Sequence, residues 1–319
     1  MSDSILVLGD VVLDVHYYGS CSRISPERPV PVINMNREDV VTTLGCASNV
    51  ACHIVAAGVK CHLMYRTSPD SHLNTDYAIF CQMCEERGIC YKPIFDGNVK
   101  VPMATKERVW ATKQQQVCRI DTEDTRSPDK TNEARYILLI QDEIEKHRPK
   151  CVIISDYSKG FITDGLIQNV SRFCRDRKIP TILDPKRPSF PKMRNLTIVK
   201  PNSREVAITN MNVETISNEM QDTLVVNTLG KDGLVVYQDG QYLFGIPTMA
   251  KPEEVTDVTS AGDGCAAMLG IGLYMGLDIK TCAIAANKAA YFIVKQLGTY
   301  VLKAEEIKDC IEYAKQNRH

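Results

Sequence analysis

Short apolar runs punctuate the chain at Ile5–Leu8, Cys61–Tyr65, Cys151–Ser155, Thr181–Leu183, Leu196–Val199, Leu224–Thr228 and Leu234–Gln238. Stretches with helical spacing of apolar positions fall between several of them, at Ala47–Ala57, Thr75–Arg87, Thr131–Lys146 and Asp164–Arg177. Strand–helix alternation of this kind predicts an α/β fold with a mostly parallel sheet covered by helices on both faces. Ligands in such sheets sit beyond the carboxyl ends of the strands, so the polar residues that follow each apolar run carry the interest.

Two segments interrupt the alternation. Asp14–Glu38 holds three prolines and the β-prone pieces His16–Tyr18 and Val30–Met35, while Lys100–Asp121 holds the strand-like runs Thr105–Trp110 and Gln116–Ile120. Neither fits as a short loop between parallel strands. They predict a small β-sheet projecting from the main body as a lid or an oligomer surface. The expected organisation is one domain over residues 1–319, with the lid formed by about 14–38 and 100–121.

Composition then narrows the function classes. The 319 residues are 44% hydrophobic and 24% charged, as in a globular protein, and a net charge of -1 leaves no basic footprint for nucleic acid or acidic lipid. The longest nearly apolar stretch, Cys265–Leu277, is too short to span a bilayer. No basic region precedes the first apolar run, so no secretory signal is expected. Thirteen cysteines without a disulfide-scaffold rhythm are expected to be reduced, in a cytoplasmic protein. Cys81 and Cys84 form the one CxxC and lack the second pair that zinc binding requires; the six histidines show no paired-ligand spacing.

The segment richest in chemistry is Thr259-Ser260-Ala261-Gly262-Asp263-Gly264, set between the β-like Val255–Val258 and the small-residue helix Cys265–Met275. A strand-to-helix turn of small residues gathers backbone N–H groups at the positive end of a helix dipole, which suits an anion. A carboxylate at that spot, Asp263, makes sense as the base that takes a proton from an attacking hydroxyl. The amides then hold the charge of a transferring phosphoryl group. The structural alternative is an Asp in an ordinary helix-start turn.

Other strand ends add candidates. Asp14, after the first strand, can accept from two sugar hydroxyls or satisfy a turn. Gly45 to Ala51 open a helix with small residues, and Asn49 offers both a donor and an acceptor to a hydroxylated ligand. Lys106 and Arg108 share one face of a strand-like run, with Arg119 on a candidate partner strand. They suit a phosphate on the substrate, or form a solvated basic face. Ser155–Gly160 and Asp184–Lys186 place polar loops on the same edge. Asn202 and Glu205 start a helix, where Glu205 can hold the waters of a Mg²⁺ ion or complete a capping box with Asn202. Thr228, Gly230 and Gly233 make a turn over which a nucleotide can lie, or a plain hairpin. No P-loop, protein-kinase catalytic loop or nucleophile elbow occurs.

Taken together and in this order, these segments resemble the ribokinase-like (pfkB) carbohydrate kinases, from Gly9 to about Thr299. The most specific element is Asp257–Asp263, close to the family's second signature D-T-x-G-A-G-D. Gly9–Asp14, Ser22–Val32, Thr105–Val109, Ser155–Gly160 and Asp184–Lys186 are most similar to the branch acting on D-glycero-β-D-manno-heptose 7-phosphate. The resemblance implies a ribokinase-like three-layer fold, a β-lid through which subunits pair as a homodimer, ATP as donor and a Mg²⁺ requirement. By position it implies Asp263 as catalytic base, with the Ala261 and Gly262 amides as anion hole. Asn202 and Glu205 fall in the Mg²⁺–phosphate network, and Thr228, Gly230, Gly233 and Asn287 along the nucleotide. Asp14, Gly45 and Asn49 fall on the sugar, and Lys106 and Arg108 on a 7-phosphate.

Two positions depart from the family pattern. Cys46 stands where the first signature has a second glycine, which narrows the space above the sugar. Ser260 replaces the usual glycine before Ala261, a mild change if its φ stays negative. The expected activity is ATP-dependent phosphorylation of a sugar phosphate, at the anomeric hydroxyl if the heptose branch holds. The alternatives are the same chemistry on another sugar, a nucleoside kinase, or a non-catalytic sugar- or nucleotide-binding regulator.

Overall fold

The computed structural model describes residues 3–112 and 115–318. In chain order its strands are β1 (Ser4–Gly9), β2 (Val11–Tyr18), β3 (Ser20–Ile24), β4 (Pro31–Asn34), β5 (Val40–Cys46), β6 (Lys60–Thr67), β7 (Cys90–Phe95) and β8 (Thr105–Thr112). They continue with β9 (Gln115–Thr122), β10 (Cys151–Ser155), β11 (Thr181–Asp184), β12 (Ile198–Val199), β13 (Leu224–Thr228), β14 (Leu234–Gln238) and β15 (Gln241–Ile246). The helices are α1 (Ala47–Ala56), α2 (Thr75–Glu86), α3 (Lys130–His147), α4 (Asp164–Asp176), α5 (Ser203–Ala207), α6 (Val213–Glu219), α7 (Ala261–Tyr274), α8 (Ile279–Val294) and α9 (Ala304–Gln316).

The large sheet has the order β15-β14-β13-β12-β11-β10-β1-β6-β7. From β7 to β13 neighbours pair in parallel, and β14 and β15 add an antiparallel edge. Alternate residues of its central strands feed two separate cores. Ile5, Val7 and Ile153 pack on the side of α1, α2, α7, α8 and α9; Leu6, Leu8, Val152 and Ile154 pack on the side of α3, α4 and α6. Burial on both faces is why these strands read as continuous apolar runs, and each such aliphatic side chain contributes about 1.5–3 kcal/mol. The result is the helix–sheet–helix layering expected from the alternation.

The second sheet has the order β5-β2-β8-β9, with β2 parallel to β8 and antiparallel to β5; β3 and β4 form a separate hairpin. One residue, Asp10, separates β1 from β2, so the chain passes directly from the large sheet into the small one. Asp10 is buried and accepts the backbone N–H groups of Tyr157 (3.0 Å), Lys159 (3.1 Å) and Phe161 (3.3 Å). This ties the loop after β10 to the root of the small sheet.

Several sequence expectations are corrected. Val255–Val258 is not a strand: the Thr256 and Asp257 N–H groups both donate to the Val294 carbonyl, at 2.8 and 3.1 Å, at the end of α8. That spends the backbone donors a sheet would need. The run Leu196–Val199 forms a strand only at Ile198–Val199. The small sheet also takes in β5, which pairs with β2 from Val11↔Cys46 to Tyr17↔Val40 and lies outside the expected lid segments. All thirteen cysteines are free thiols; in α2, Cys84 lies in the core and Cys81 is half-buried. Among the described residues, no helix is long and apolar enough to cross a membrane.

Close packing of α7 on the sheet depends on small residues. A β-carbon on Gly270 would stand 2.5 Å from Ile153 Cδ1. Gly270→Val is therefore expected to destabilise the protein by about 1–3 kcal/mol through overpacking. Urea denaturation checks this, and a variant as stable as the parent would show that α7 can move off β10 freely.

Candidate active site

Asp263 lies in the first turn of α7, beyond the carboxyl ends of the parallel strands, and is 3% exposed. Its carboxylate is held from two other elements. Tyr157, in the loop after β10, donates its hydroxyl to Oδ1 at 2.6 Å, and Asn49, in the first turn of α1, donates Nδ2 to Oδ2 at 3.1 Å. Burial pushes the Asp263 pKa up to about 6, against the downward pull of the Tyr157 and Asn49 hydrogen bonds. The second face of the Asn49 amide, Oδ1, is buried with no hydrogen-bond partner among the described residues.

First-turn amides of a helix have no intrahelical acceptor, which leaves the Gly262 and Asp263 N–H groups available to an anion. The Ala261 N–H already makes a long contact, 3.4 Å, to the Val258 carbonyl. Of the two expected anion-hole amides, Gly262 is thus the less committed. A buried cation supports the same spot: Lys200 Nζ lies 3.7 Å from where a Gly262 β-carbon would stand, and pairs with Asp184 at 3.0 Å. Burial works against the Lys200 charge, but Asp184 outweighs it and the pKa is raised.

Lys186, two residues after β11, forms an ion pair with Glu205. Glu205 also accepts the Asn202 N–H (2.8 Å) and Nδ2 (2.9 Å), while Asn202 Oδ1 caps α5 by accepting from Arg204 and Glu205 N–H groups. The capping-box reading of Asn202 and Glu205 is therefore realised, and the same box is wired to Lys186 at the sheet edge. A backbone bridge joins Asn202 to Thr228, whose N–H donates to the Pro201 carbonyl at 3.0 Å. The hairpin turn follows, with Gly230 and Gly233 both at positive φ and Gly233 packed on the Ile246–Pro247 backbone. Asn287, on α8, reaches the same stretch by donating to the Pro247 carbonyl at 2.8 Å. The expected nucleotide residues thus form one continuous edge.

The small sheet contributes the other group. Asp14 Oδ1 accepts from Arg108 Nη1 at 2.8 Å and Oδ2 from Thr299 Oγ1 at 3.0 Å. A β-carbon on Gly45 would stand 2.5 Å from Asp14 Oδ2, so a side chain there would displace that carboxylate. Lys106 does not join Arg108: its Nζ lies 3.9 Å from Cys46 Sγ and 5.6 Å from the Tyr157 ring centroid. Lys186 Nζ approaches the same ring at 5.2 Å. Arg119 pairs with Asp121 on the exposed outer strand and is not brought to the site. The two family departures are both strained, since Cys46 has φ 55° and Ser260 φ 63°. The condition of a negative φ at Ser260 fails, and such backbone costs about 1–3 kcal/mol at a residue with a side chain.

Tyr157, Lys200 and Thr299 carry no assigned role in the sequence reading, although Tyr157 lies in a flagged strand-end loop. Nothing in the local sequence marks which strand-end side chain will turn onto Asp263.

With this geometry in hand, the relatives become informative. Residues 149–306 match the profile of the pfkB family of carbohydrate kinases. The chain carries a pfkB-family carbohydrate kinase domain. The bifunctional protein HldE of Nitratiruptor sp. is 32% identical over 97% of this chain and 65% of its own length, so the chain spans just under two thirds of that relative. Phosphofructokinase-2 from Escherichia coli superposes with a TM-score of 0.74 at 13% identity, over 99% of this chain and 100% of that one. Arabidopsis thaliana ribokinase complexed with ribose and ATP gives 0.68 at 15% identity, over 98% and 99%. The likeness to these structures establishes a ribokinase-like fold for the pfkB chain.

The raised pKa of Asp263 has a stability consequence. Its contribution is intact below the ordinary carboxylate value of 3.8 and is lost as pH rises through about 6, because the charged form is the one burial disfavours. Asp263→Asn is therefore expected to be more stable than the parent by up to about 3 kcal/mol above pH 7, the gap closing toward pH 4. The unpartnered Asn49 Oδ1 can turn to accept from the new amide. Denaturant titrations at pH 8 and pH 4 measure it; a variant less stable than the parent at pH 8 contradicts it.

Proposed function

We propose that this pfkB chain transfers the γ-phosphoryl group of ATP to a hydroxyl of a sugar phosphate, with the anomeric hydroxyl of a heptose 7-phosphate as acceptor. The observation that carries the reading is the placement of Asp263: a buried carboxylate with its pKa near 6, next to first-turn amides of α7 and the Lys200 ammonium. A base poised near neutrality beside donors for a developing anion is what direct transfer to an alcohol needs.

The Tyr157 hydroxyl occupies the Oδ1 hydrogen bond that an attacking hydroxyl would make. Acceptor binding replaces it there, and Oδ1 then takes the acceptor's proton as its oxygen attacks. The Gly262 amide and Lys200 stabilise the charge on the moving phosphoryl group. The nucleotide fits along the edge formed by Asn202, Thr228, Gly230, Gly233 and Asn287, with its phosphates toward α7. A Mg²⁺ ion, were it bound there, would supply charge neutralisation for the phosphates. Glu205 fits a role in holding it through water, since both Glu205 oxygens already accept from Lys186 and Asn202. Asp14, Gly45 and Asn49 fit the sugar; Lys106 and Arg108, held apart by different partners, would meet its phosphate together only once Arg108 exchanges Asp14 for it.

Similarity to HldE over 97% of the chain supports the heptose phosphate as substrate class. The small sheet and the neighbouring β3–β4 hairpin support pairing of two chains: β9 is exposed along its whole length, Ile120 on it is more than half exposed, and so are Ile24 and Val30 of the hairpin. Cytoplasmic action, where ATP and Mg²⁺ are supplied, completes the reading.

Asp263→Asn is expected to lower turnover by about 100-fold or more while leaving ATP affinity within a small factor of the parent. Steady-state kinetics with a parallel nucleotide-binding assay decide it, and full activity in the variant removes Asp263 from the role of base. Lys106→Ala and Arg108→Ala are expected to raise KM for phosphorylated sugars about 10-fold or more over any effect on unphosphorylated ones. Equal effects on both substrate classes end the assignment of the phosphate to these side chains.

A further inference from the structure

A second cluster of metal-ligating groups lies at the other end of the large sheet. His62 sits near the start of β6, and Glu143 and His147 sit one turn apart at the end of α3. One ligand atom from each, a ring nitrogen from either histidine and a carboxylate oxygen from Glu143, all lie within 4.8 Å of one another. We propose that His62, Glu143 and His147 form a binding site for a single divalent transition-metal ion of the Zn²⁺ class, remote from Asp263.

Three observations carry the proposal. First, His62 is 7% exposed and its Nε2 is buried with no hydrogen-bond partner among the described residues. An imidazole taken out of water without a partner costs free energy unless something ligates it. Second, the His62 and His147 rings stack with centroids 4.0 Å apart, and His147 Nε2 lies 2.8 Å from Glu143 Oε1. A metal ion takes the place of the shared proton between those two atoms. Third, Lys92 holds Glu143 Oε2, which leaves Oε1 to ligate alone and fixes the carboxylate, as a supporting partner does in many metal sites.

The donor set selects the ion. Two imidazoles and one carboxylate suit Zn²⁺ and its neighbours, whereas Mg²⁺ and Ca²⁺ demand oxygens. Lys60, Lys92 and Lys146 stand close by and oppose a dication, so the affinity comes from the nitrogen ligands and not from net charge. Ligand atoms around tetrahedral Zn²⁺ stand about 3.4 Å apart, so the 2.8 Å His147–Glu143 pair must open and any wider separation, up to 4.8 Å, must close. The half-buried His147 side chain, at the end of its helix, is the member with room to move. Occupancy fastens the end of α3 to β6 and stabilises the fold by mass action.

The test is Zn²⁺ titration of the full chain, with accessible thiols alkylated, in competition with a fluorescent chelator. The parent is expected to bind a single Zn²⁺ and to gain thermal stability from it. His62→Gln and His147→Gln are each expected to lose affinity at least about 10-fold and to lose that gain. Co²⁺ substitution is expected to give a tetrahedral spectrum without a thiolate charge-transfer band. Unchanged Zn²⁺ affinity in His147→Gln, a thiolate band, or no binding by the parent overturns the proposal. Should His62→Gln fail to fold, the half-exposed His147 decides alone.

Discussion

A carboxylate buried at the start of α7 organises this molecule. Removing a charge from water is costly unless hydrogen bonds replace the lost solvent, and Asp263 gets its replacements from two other elements, α1 and the loop after β10. Those elements must therefore be held to within hydrogen-bond tolerance of α7. Asp10 does part of this by gathering three backbone donors of the 157–161 segment, and small residues on α7 do the rest by letting the helix lie close on the sheet. Compensation is incomplete, which is why the pKa rises to about 6.

Around it, the charged groups are paired with one another: Lys200 with Asp184, Lys186 with Glu205, Arg108 with Asp14. Internal pairing keeps ionised side chains tolerable in a partly buried cleft. It also means that an incoming anion exchanges partners and does not meet bare cations. Lys106 differs, since its contacts are a thiol and an aromatic ring, both weaker competitors than a carboxylate. The positive-φ conformations of Cys46 and Ser260 stand at the starts of α1 and α7, the two helices that present Asn49 and Asp263. Backbone strain at both helix starts is consistent with positions fixed by the site and not by local preference.

Much of the large sheet was legible because its central strands are buried on both faces, so a local run of apolar residues suffices to reveal them. The small sheet was half legible. β2 and β8 showed through β-prone residues, but β5 did not, because Val40–Cys46 draws its identity from pairing with β2 and the following small residues read as a helix start. Val255–Val258 failed in the opposite sense: its β-prone residues face no strand, and its donors go to the end of α8.

In the site, the sequence determined the residue types and their order: a carboxylate in a small-residue turn, a capping Asn–Glu pair, glycines after β13, and polar loops after the strands. These are local patterns, set by chain geometry over a few residues. Tertiary structure alone decided who meets whom. Asn49 and Asp263 are 214 positions apart, and Tyr157 reaches the same carboxylate from a third element. Lys106 and Arg108 share a strand yet part company, because Asp14 captures one and Tyr157 lies under the other. Such choices follow from burial and competition among partners brought together by the sheet, and those terms exist only once the chain has folded.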